Sequence, residues 1–211
     1  MPRQARLLLS HSYYHVMTRG NNRQIVFHRD EDYLYYLHLI ERFKAEHPFH
    51  LYHYALMPNH THFLIQTTKA TDFSTFMKRL NLAYFHHYRR DYGWVGHFWQ
   101  GRFKSQPVGK DSYFIQCGKY IELNPVRARL VTDPLDYPYS SYRYYAQGLE
   151  DRLLTEDFFY RELADNPQNR QVKYRELLID DLVPTTYQRP VWGSPRQRYQ
   201  ETKKLNYHKN S

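Results

Sequence analysis

The part of the chain that says most about its fold is the stretch Met57-Pro58-Asn59-His60-Thr61-His62-Phe63-Leu64-Ile65. It predicts a strand over residues 60–67, entered through the connection Met57-Pro58-Asn59. Side chains two positions apart on a strand point to the same face of the sheet. We therefore expect His60 and His62 to project together, with Thr61 on the opposite face. Phe63-Leu64-Ile65 continues the strand into the core and would hold the two imidazoles rigidly.

The histidine pair predicts a metal site, because two neutral imidazoles on one face can chelate one cation. Two histidines do not fill a coordination sphere, so at least one further protein ligand is required. The chain contains 13 histidines, and a His-x-His spacing also arises by chance. Two solvated histidines on a strand are therefore the alternative interpretation of the spacing alone.

Hydrophobic periodicity and turn residues predict the elements around this strand. Strands are expected at residues 13–18, 50–55 and 60–67, a strand or hairpin at 97–108, and helices at 30–46, 74–92 and from Asp111 to about Leu123. Gly93 is expected to end the second helix, and Asn124-Pro125 the third. The order β-α-β-β-α-β-α predicts an α+β protein with a ferredoxin-like core and one added helix.

The added helix carries the second candidate group, within Gly118-Lys119-Tyr120-Ile121-Glu122-Leu123-Asn124-Pro125-Val126-Arg127. Tyr120 and Asn124 lie four positions apart and therefore share one side of a helix. Asn124 is the candidate for the missing oxygen ligand, beside the Tyr120 hydroxyl. Glu122 lies about 200° round the helix from Tyr120 and is a poorer candidate. In the alternative interpretation Tyr120 only packs, and Asn124 caps a short helix opened by Pro125.

The composition predicts a nucleic acid as partner. The formal net charge is +9, and a surface this positive attracts polyanions. The chain also holds 22 Tyr, 12 Phe and 3 Trp, whose flat faces can stack on unpaired bases. Its single cysteine, Cys117, excludes a disulfide framework or an all-cysteine zinc site within one chain.

The distribution of apolar residues predicts a protein without a membrane partner. Uncharged stretches are far shorter than a membrane span. The N-terminus lacks the apolar run and the cleavage site of a signal peptide. We therefore expect a cytoplasmic, nucleoid-associated protein.

Four segments in series resemble the REP-associated tyrosine transposases, which are single-strand DNA transposases of the His-hydrophobic-His (HUH) superfamily. They are Tyr14-His15-Val16 with Arg19-Gly20-Asn21-Asn22-Arg23, Asn59 to Ile65, Trp99-Gln100-Gly101-Arg102-Phe103-Lys104-Ser105, and Tyr120 to Ala128. The resemblance spans roughly residues 12–145 and is loose beyond them, where Trp192-Gly193-Ser194-Pro195 matches. Thr61 stands where the superfamily name expects a bulky hydrophobic residue.

The resemblance implies a chemistry for the candidate residues. It makes Tyr120 the nucleophile, His60 and His62 metal ligands, and Asn124 the third ligand. The implied cofactor is a divalent metal, Mg²⁺ or Mn²⁺, and imidazole ligands suit manganese at least as well as magnesium. The implied reaction is cleavage and joining of single-stranded DNA through a 5′-phosphotyrosine intermediate that leaves a free 3′ hydroxyl.

The resemblance also implies a DNA partner, and the sequence pattern, which loosens past about residue 150, indicates a domain organisation. The DNA is a hairpin with a guanine-containing tetranucleotide at its foot. The catalytic domain is expected at 1–150, and a C-terminal extension at 151–211 ends in a basic tail over 185–211. The protein is expected to act as a monomer or homodimer.

Two groups of residues are expected to bind the DNA. Arginine and lysine side chains are suited to phosphates, and Arg19 with its loop is suited to base edges, arginine to guanine in particular. The expected phosphate-binding residues are Arg102, Lys104, Arg127 and Arg129, the expected base-reading residues are Arg19, Asn21, Asn22 and Arg23, and Trp99 is expected to contact the nucleic acid as well.

Two other functions fit the same sequence. A ferredoxin-like sheet rich in aromatic residues is also how RNA-binding modules stack bases, and then the histidines and Tyr120 are incidental. A metal-dependent phosphoesterase that uses water would need the histidines but not Tyr120. A protein–DNA adduct that survives denaturation separates the tyrosine enzyme from both.

Overall fold

The sheet has the ferredoxin-like arrangement that the sequence predicts. The structure, a computed structural model, describes residues 8–110 and 112–179. Four strands pair antiparallel in the order β2-β3-β1-β4. They are β1 (Tyr13–Arg19), β2 (Phe49–Met57), β3 (His60–Thr67) and β4 (Lys104–Pro107). The predicted α+β class is confirmed, and the connection between β2 and β3 is the Pro58-Asn59 turn.

Two long helices, α1 (Asp30–Glu46) and α2 (Ala70–Tyr92), cover one face of the sheet. Three acidic residues in the first turn of α1 complement the positive end of its dipole. Gly93 ends α2 in the left-handed conformation, with φ of 62°, which glycine adopts without steric cost. The core between the helices and the sheet is largely aromatic and includes Phe27, Tyr36, Phe63, Phe76 and Tyr84.

A third helix, α3 (Ser112–Glu122), crosses the opposite face of the sheet. Phe114 and Ile121 are fully buried there against Leu64 and Ala55 of the sheet. The short helix α4 (Asn124–Arg127) follows, with Pro125 in its first turn as the sequence predicts. The sheet therefore has α1 and α2 on one face, and the helix that carries Tyr120 lies on the other face.

Three predicted boundaries differ from the observed ones. Helix α2 begins at Ala70 instead of Ser74, because Phe73 is fully buried and packs edge-on against Phe49. Strand β2 extends from Phe49 to Met57, beyond the predicted 50–55.

The predicted strand at 97–108 is wrong over most of its length, since β4 holds only four residues. Gly96 and Gly101 have φ of 101° and 87°, which extended strands exclude. The intervening loop is held to the end of β1 by backbone hydrogen bonds, from Asn21 N to Phe98 O (2.8 Å) and from Gln100 N to Arg19 O (2.8 Å).

Residues beyond 150 form helices that the sequence did not predict. A small second core contains Tyr145 of α5 (Tyr142–Gln147), Tyr160 of α6 (Phe158–Glu162) and Tyr174 of α7 (Pro167–Ile179). The basic tail over 185–211 and Asp111 lie outside the described residues. Within the described ranges, no helix is long and apolar enough to cross a membrane.

Candidate active site

The site is built on the face of the sheet that α3 covers. In the antiparallel register Met17 lies opposite His62, and Arg19 lies opposite His60. Residues directly opposite each other project to the same face. The predicted projection of His60 and His62 therefore places them beside His15 of β1, which lies two residues before Met17. Thr61 is fully buried on the other face.

Three histidine rings and the ring of Tyr120 form one cluster. The ring centroids of His60 and His62 are 4.7 Å apart, and those of His15 and His62 are 5.0 Å apart. The Tyr120 ring lies edge-on to both inner rings, at 5.8 Å from His62 and 5.9 Å from His15. The structure thus brings together the helical tyrosine and the strand histidines, which are about sixty positions apart in the sequence.

The histidines of the cluster are neutral at pH 7. Burial lowers the pKa of His15 to about 4. Burial, followed by the nearby Arg19, lowers the pKa of His60 to about 3, and burial holds the pKa of His62 well below its usual range. Neutral imidazole is the form that binds a metal ion.

His60 and His62 each form a hydrogen bond through Nδ1. His62 Nδ1 lies 2.8 Å from His15 Nε2, and His60 Nδ1 lies 2.5 Å from Asn59 Oδ1. The other nitrogen of His62, Nε2, is buried without a hydrogen-bond partner among the described residues. A buried polar atom is ordinarily satisfied, so this nitrogen fits a bound cation.

Asn124, the third predicted ligand, is held by its amide nitrogen at the end of α3. Its Nδ2 donates to the carbonyl oxygens of Tyr120 (2.8 Å) and Ile121 (3.4 Å). The side chain therefore caps the end of α3, not the start of α4 as in the alternative interpretation, where Leu123 is the N-cap without a side-chain bond. With Nδ2 engaged, Oδ1 is the atom of this side chain that is able to coordinate a cation. No three His, Cys, Asp or Glu side chains in residues 8–110 and 112–179 converge as a metal site.

Two arginines flank Tyr120. The guanidinium of Arg127 lies 5.5 Å from the centre of the Tyr120 ring. Arg19 is half-buried; burial and then Arg23 lower its pKa, while Tyr120 acts in the opposite direction. Its Nε is buried with no hydrogen-bond partner among the residues that the structure describes. Arg19 therefore lies close enough to both Tyr120 and the exposed Arg23 to interact electrostatically with each.

The predicted base-reading loop lies next to His60. Asn21 to Arg23 form a short 3-10 turn, with φ of 50° at Asn22 and 60° at Arg23. Gly20 N donates to Asn59 O (2.9 Å), and Asn59 Nδ2 donates to Arg23 O (3.1 Å). The loop is thus tied to the turn that precedes the histidine strand, and its tip is exposed.

The other predicted DNA-binding residues fall into two groups. Arg102, Lys104, Arg127 and Arg129 are exposed. Lys104 pairs with Met17 across β4 and β1, so it projects to the same face as His62. Trp99 is half-buried, and its indole N–H donates to Asn81 O (2.9 Å), so the polar atom of this ring is engaged within the fold.

Sequence reasoning missed a buried charged network behind α3. His53 of β2 binds Glu122 Oε1 through Nδ1 (2.8 Å) and Asp157 Oδ2 through Nε2 (3.2 Å). Ser141 and Tyr174 donate hydroxyl protons to the two oxygens of Glu122, at 2.5 and 2.6 Å. Glu122 thus points away from Tyr120 and anchors the helix. No local pattern marks such a network, because its members are up to 104 positions apart.

Gly118 shows how closely α3 approaches this network. A Cβ atom at Gly118 would lie 2.9 Å from His53 Nε2, which is too close for real contacts. Glycine at this position therefore lets the helix that carries Tyr120 sit directly on the charged pair.

The network predicts a pH-dependent stability. Burial alone would lower the pKa of His53, but Glu122 and Asp157 outweigh it and raise the pKa to about 9. A folded-state pKa above the unfolded value of 6.5 adds stability that is full below pH 6.5 and is lost as the pH rises through 9. We expect the unfolding free energy to fall by roughly 3 kcal/mol across that window. Urea titrations of the parent and of His53→Gln at pH 6, 7.5 and 9 measure the unfolding free energy. If the free energies of the two proteins change with pH in the same way, the raised pKa of His53 is contradicted.

A ferredoxin-like sheet that sets paired strand histidines against a helical tyrosine defines the class of protein as tyrosine-type transposases. Residues 9–124, more than half of the chain, match the family described as "Transposase IS200 like". The chain belongs to this family of transposase enzymes. It matches no curated protein.

Two solved structures are similar to the chain. The first is a REP-associated tyrosine transposase bound to a REP hairpin, with a TM-score of 0.60 and 21% identity over 74% of this chain and 93% of that chain. The second is a candidate transposase from Deinococcus radiodurans, with a TM-score of 0.40 and 20% identity over 57% of this chain and 96% of that chain. The first match confirms the fold, and with the family match it confirms the resemblance seen in the sequence.

Proposed function

We propose that this protein is a metal-dependent single-stranded DNA endonuclease and strand transferase that acts at hairpin elements through a 5′-phosphotyrosine intermediate. The observation that carries the proposal is the edge-on contact of the Tyr120 ring with His62, whose buried Nε2 has no hydrogen-bond partner. The proposed nucleophile and the proposed ion-binding nitrogen thus belong to two rings whose centroids are 5.8 Å apart.

His60 and His62, through Nε2, and Asn124, through Oδ1, are the proposed metal ligands. A bound magnesium or manganese ion offsets the negative charge of a phosphodiester and orients it for attack. The neutral state of both imidazoles and the unpartnered nitrogen of His62 fit this role.

Tyr120 is the proposed nucleophile. Its hydroxyl loses a proton and attacks the phosphorus, the bond to the 3′ oxygen breaks, and that oxygen leaves as a hydroxyl. The phosphodiester energy is kept in the tyrosine ester, so a 3′ hydroxyl of another strand can reverse the step. Arg127, which lies 5.5 Å from the centre of the Tyr120 ring, and Arg19, which interacts electrostatically with Tyr120, are the proposed stabilisers of charge on the phosphate during both steps.

The proposed DNA partner is a folded single strand. The solved relative is bound to a REP hairpin, and the exposed tip at Asn22 and Arg23 lies beside the proposed ligand His60. This loop is proposed to read bases at the hairpin foot, and Arg102, Lys104 and Arg129 to hold phosphates. All proposed catalytic side chains precede residue 150, so residues 1–150 are the proposed catalytic domain. Asp157 and Tyr174, which follow it in the sequence, support α3 through their hydrogen bonds to His53 and Glu122.

The decisive experiment is a search for the covalent adduct. A hairpin oligonucleotide with a single-stranded foot and a 3′-end label is incubated with the protein and Mn²⁺, then run on a denaturing gel. We expect label on the protein band and, after digestion, a nucleotide on the peptide that holds Tyr120. Cleavage without an adduct would instead favour a water-using phosphoesterase, and binding without cleavage would favour a non-catalytic nucleic-acid module.

Hairpin preference is a separate expected result. Aromatic faces and a narrow base-reading loop suit unpaired bases, so the protein is expected to bind a hairpin with a single-stranded foot at least about tenfold more tightly than a blunt duplex of equal length. Fluorescence anisotropy at moderate salt measures both affinities. Equal affinities would contradict the proposed substrate while leaving the chemistry open.

A further inference from the structure

We infer that His15 and Asn59 are positioning residues, which hold His62 and His60 in the tautomer whose Nε2 lone pair is free to bind a metal ion. The inference rests on the proposed function in one respect only, namely that the two Nε2 atoms bind a metal ion. Which nitrogen of a neutral imidazole carries the proton is set by the hydrogen bond that the other nitrogen makes. Each of the two histidines makes such a bond at Nδ1.

The direction of the bond between His15 and His62 sets whether Nε2 of His62 can bind a cation. Both rings are buried, at 5% and 2% exposure, and the 2.8 Å between His15 Nε2 and His62 Nδ1 contains one proton. If His15 donated it, the proton of neutral His62 would lie on Nε2. That N–H would have no acceptor among the described residues and could not bind a cation. If His62 donates, Nε2 presents a lone pair that a cation can satisfy.

The bond between Asn59 and His60 acts in the same direction. Asn59 Nδ2 donates to the carbonyl oxygen of Arg23 at 3.1 Å, which fixes the amide so that Oδ1 faces His60. A carbonyl oxygen only accepts. The 2.5 Å contact therefore requires the proton on His60 Nδ1, and the lone pair of His60 lies on Nε2.

His15 acts through His62 and is not a third ligand. Its Nε2 is directed at His62 Nδ1, with the rings inclined by only 24°. Among the residues that the structure describes, no three histidine or acidic side chains converge as a metal site. Hydrogen-bond partners of this kind orient metal-binding histidines in proteins generally, and their loss weakens metal affinity about 10–100-fold.

The tautomers are measured directly on the metal-free full-length protein. Long-range ¹H–¹⁵N correlation spectra of ¹⁵N-histidine protein at pH 7 show which ring nitrogen of His60 and His62 is protonated. We expect Nδ1–H for both. An Nε2–H form at His62 would overturn the inference without reference to any activity.

Two substitutions of His15 test the consequence. His15→Gln places a carbonyl oxygen near the former Nε2 and is expected to keep both the tautomer and the Mn²⁺ affinity within about threefold of the parent. His15→Phe keeps a ring but no acceptor, and is expected to weaken Mn²⁺ binding about 10–100-fold, read by electron paramagnetic resonance of free Mn²⁺. His50→Phe, at an exposed histidine of β2, is the control for losing a histidine.

Unchanged Mn²⁺ affinity in a folded His15→Phe protein would refute the inference. If that variant does not fold, the parent spectra and His15→Gln still decide it, since loss of affinity in a folded His15→Gln protein would also refute it. If both histidines carry the proton on Nδ1 and the Mn²⁺ affinities are as expected, but the protein forms no covalent adduct with DNA, this inference stands and the proposed function is rejected.

Discussion

Tyr120→Phe is expected to reduce cleavage of a hairpin substrate by about 10⁴-fold or more, while hairpin affinity stays within about threefold. The substitution removes one oxygen atom and leaves the aromatic ring. The contacts of that ring with His15, His62 and the Arg127 guanidinium therefore persist. Only the nucleophile is lost, so the defect belongs in the chemical step and not in binding.

The measurement pairs single-turnover cleavage in Mn²⁺ with anisotropy on the same oligonucleotide. Tyr113→Phe is the matched control, because Tyr113 lies on the same helix and is 73% exposed. It is expected to cleave at the parental rate. Parental cleavage by Tyr120→Phe would end the proposal of a tyrosine nucleophile, and an equal loss in both variants would point to damage to α3.

His60→Ala and His62→Ala are each expected to reduce metal-dependent cleavage by about 10²-fold or more, and to weaken Mn²⁺ binding. Each variant removes one of the two proposed imidazole ligands, so the remaining sphere binds the ion more weakly. Mn²⁺ affinity and cleavage at saturating Mn²⁺ are measured in parallel. His50→Ala, on exposed sequence of β2, is the control and is expected to match the parent.

The two variants are expected to differ in stability. His62 is 2% exposed and hydrogen-bonded to His15, so its removal leaves a cavity and an unpaired partner, at roughly 1–3 kcal/mol. His60 is less buried, so its replacement by alanine is expected to lower the unfolding free energy by less. Parental metal affinity in both folded variants would place the ion elsewhere.

The local sequence was sufficient to predict most helices and strands, and to predict which candidate site residues share a face. The start of α1 and both bounds of β3 agree with the predicted residues, because caps and strand periodicity act over a few positions. The same-face projection of His60 and His62 follows from the two-residue period of a strand. The shared side of Tyr120 and Asn124 follows from the helical repeat.

Strand β4 shows where local reasoning stopped. Aromatic and apolar residues at 97–103 resemble a strand, but their backbone forms hydrogen bonds with the backbone of residues 19–21. Positive φ at two glycines ends any extended run. A loop that is stabilised by distant backbone groups carries no periodicity of its own, so its pattern was misread as a strand.

What the sequence by itself determined is the ferredoxin-like order and which side chains share a face; the tertiary structure decided which of them meet. His15 meets His62 only through the register of β1 against β3, and Arg19 comes to Tyr120 because α3 crosses that face of the sheet. His53 reaches Asp157 across 104 positions. A one-residue shift in register reverses every side chain of a strand, so contacts of this kind depend on the packing of the whole domain and leave no local signature.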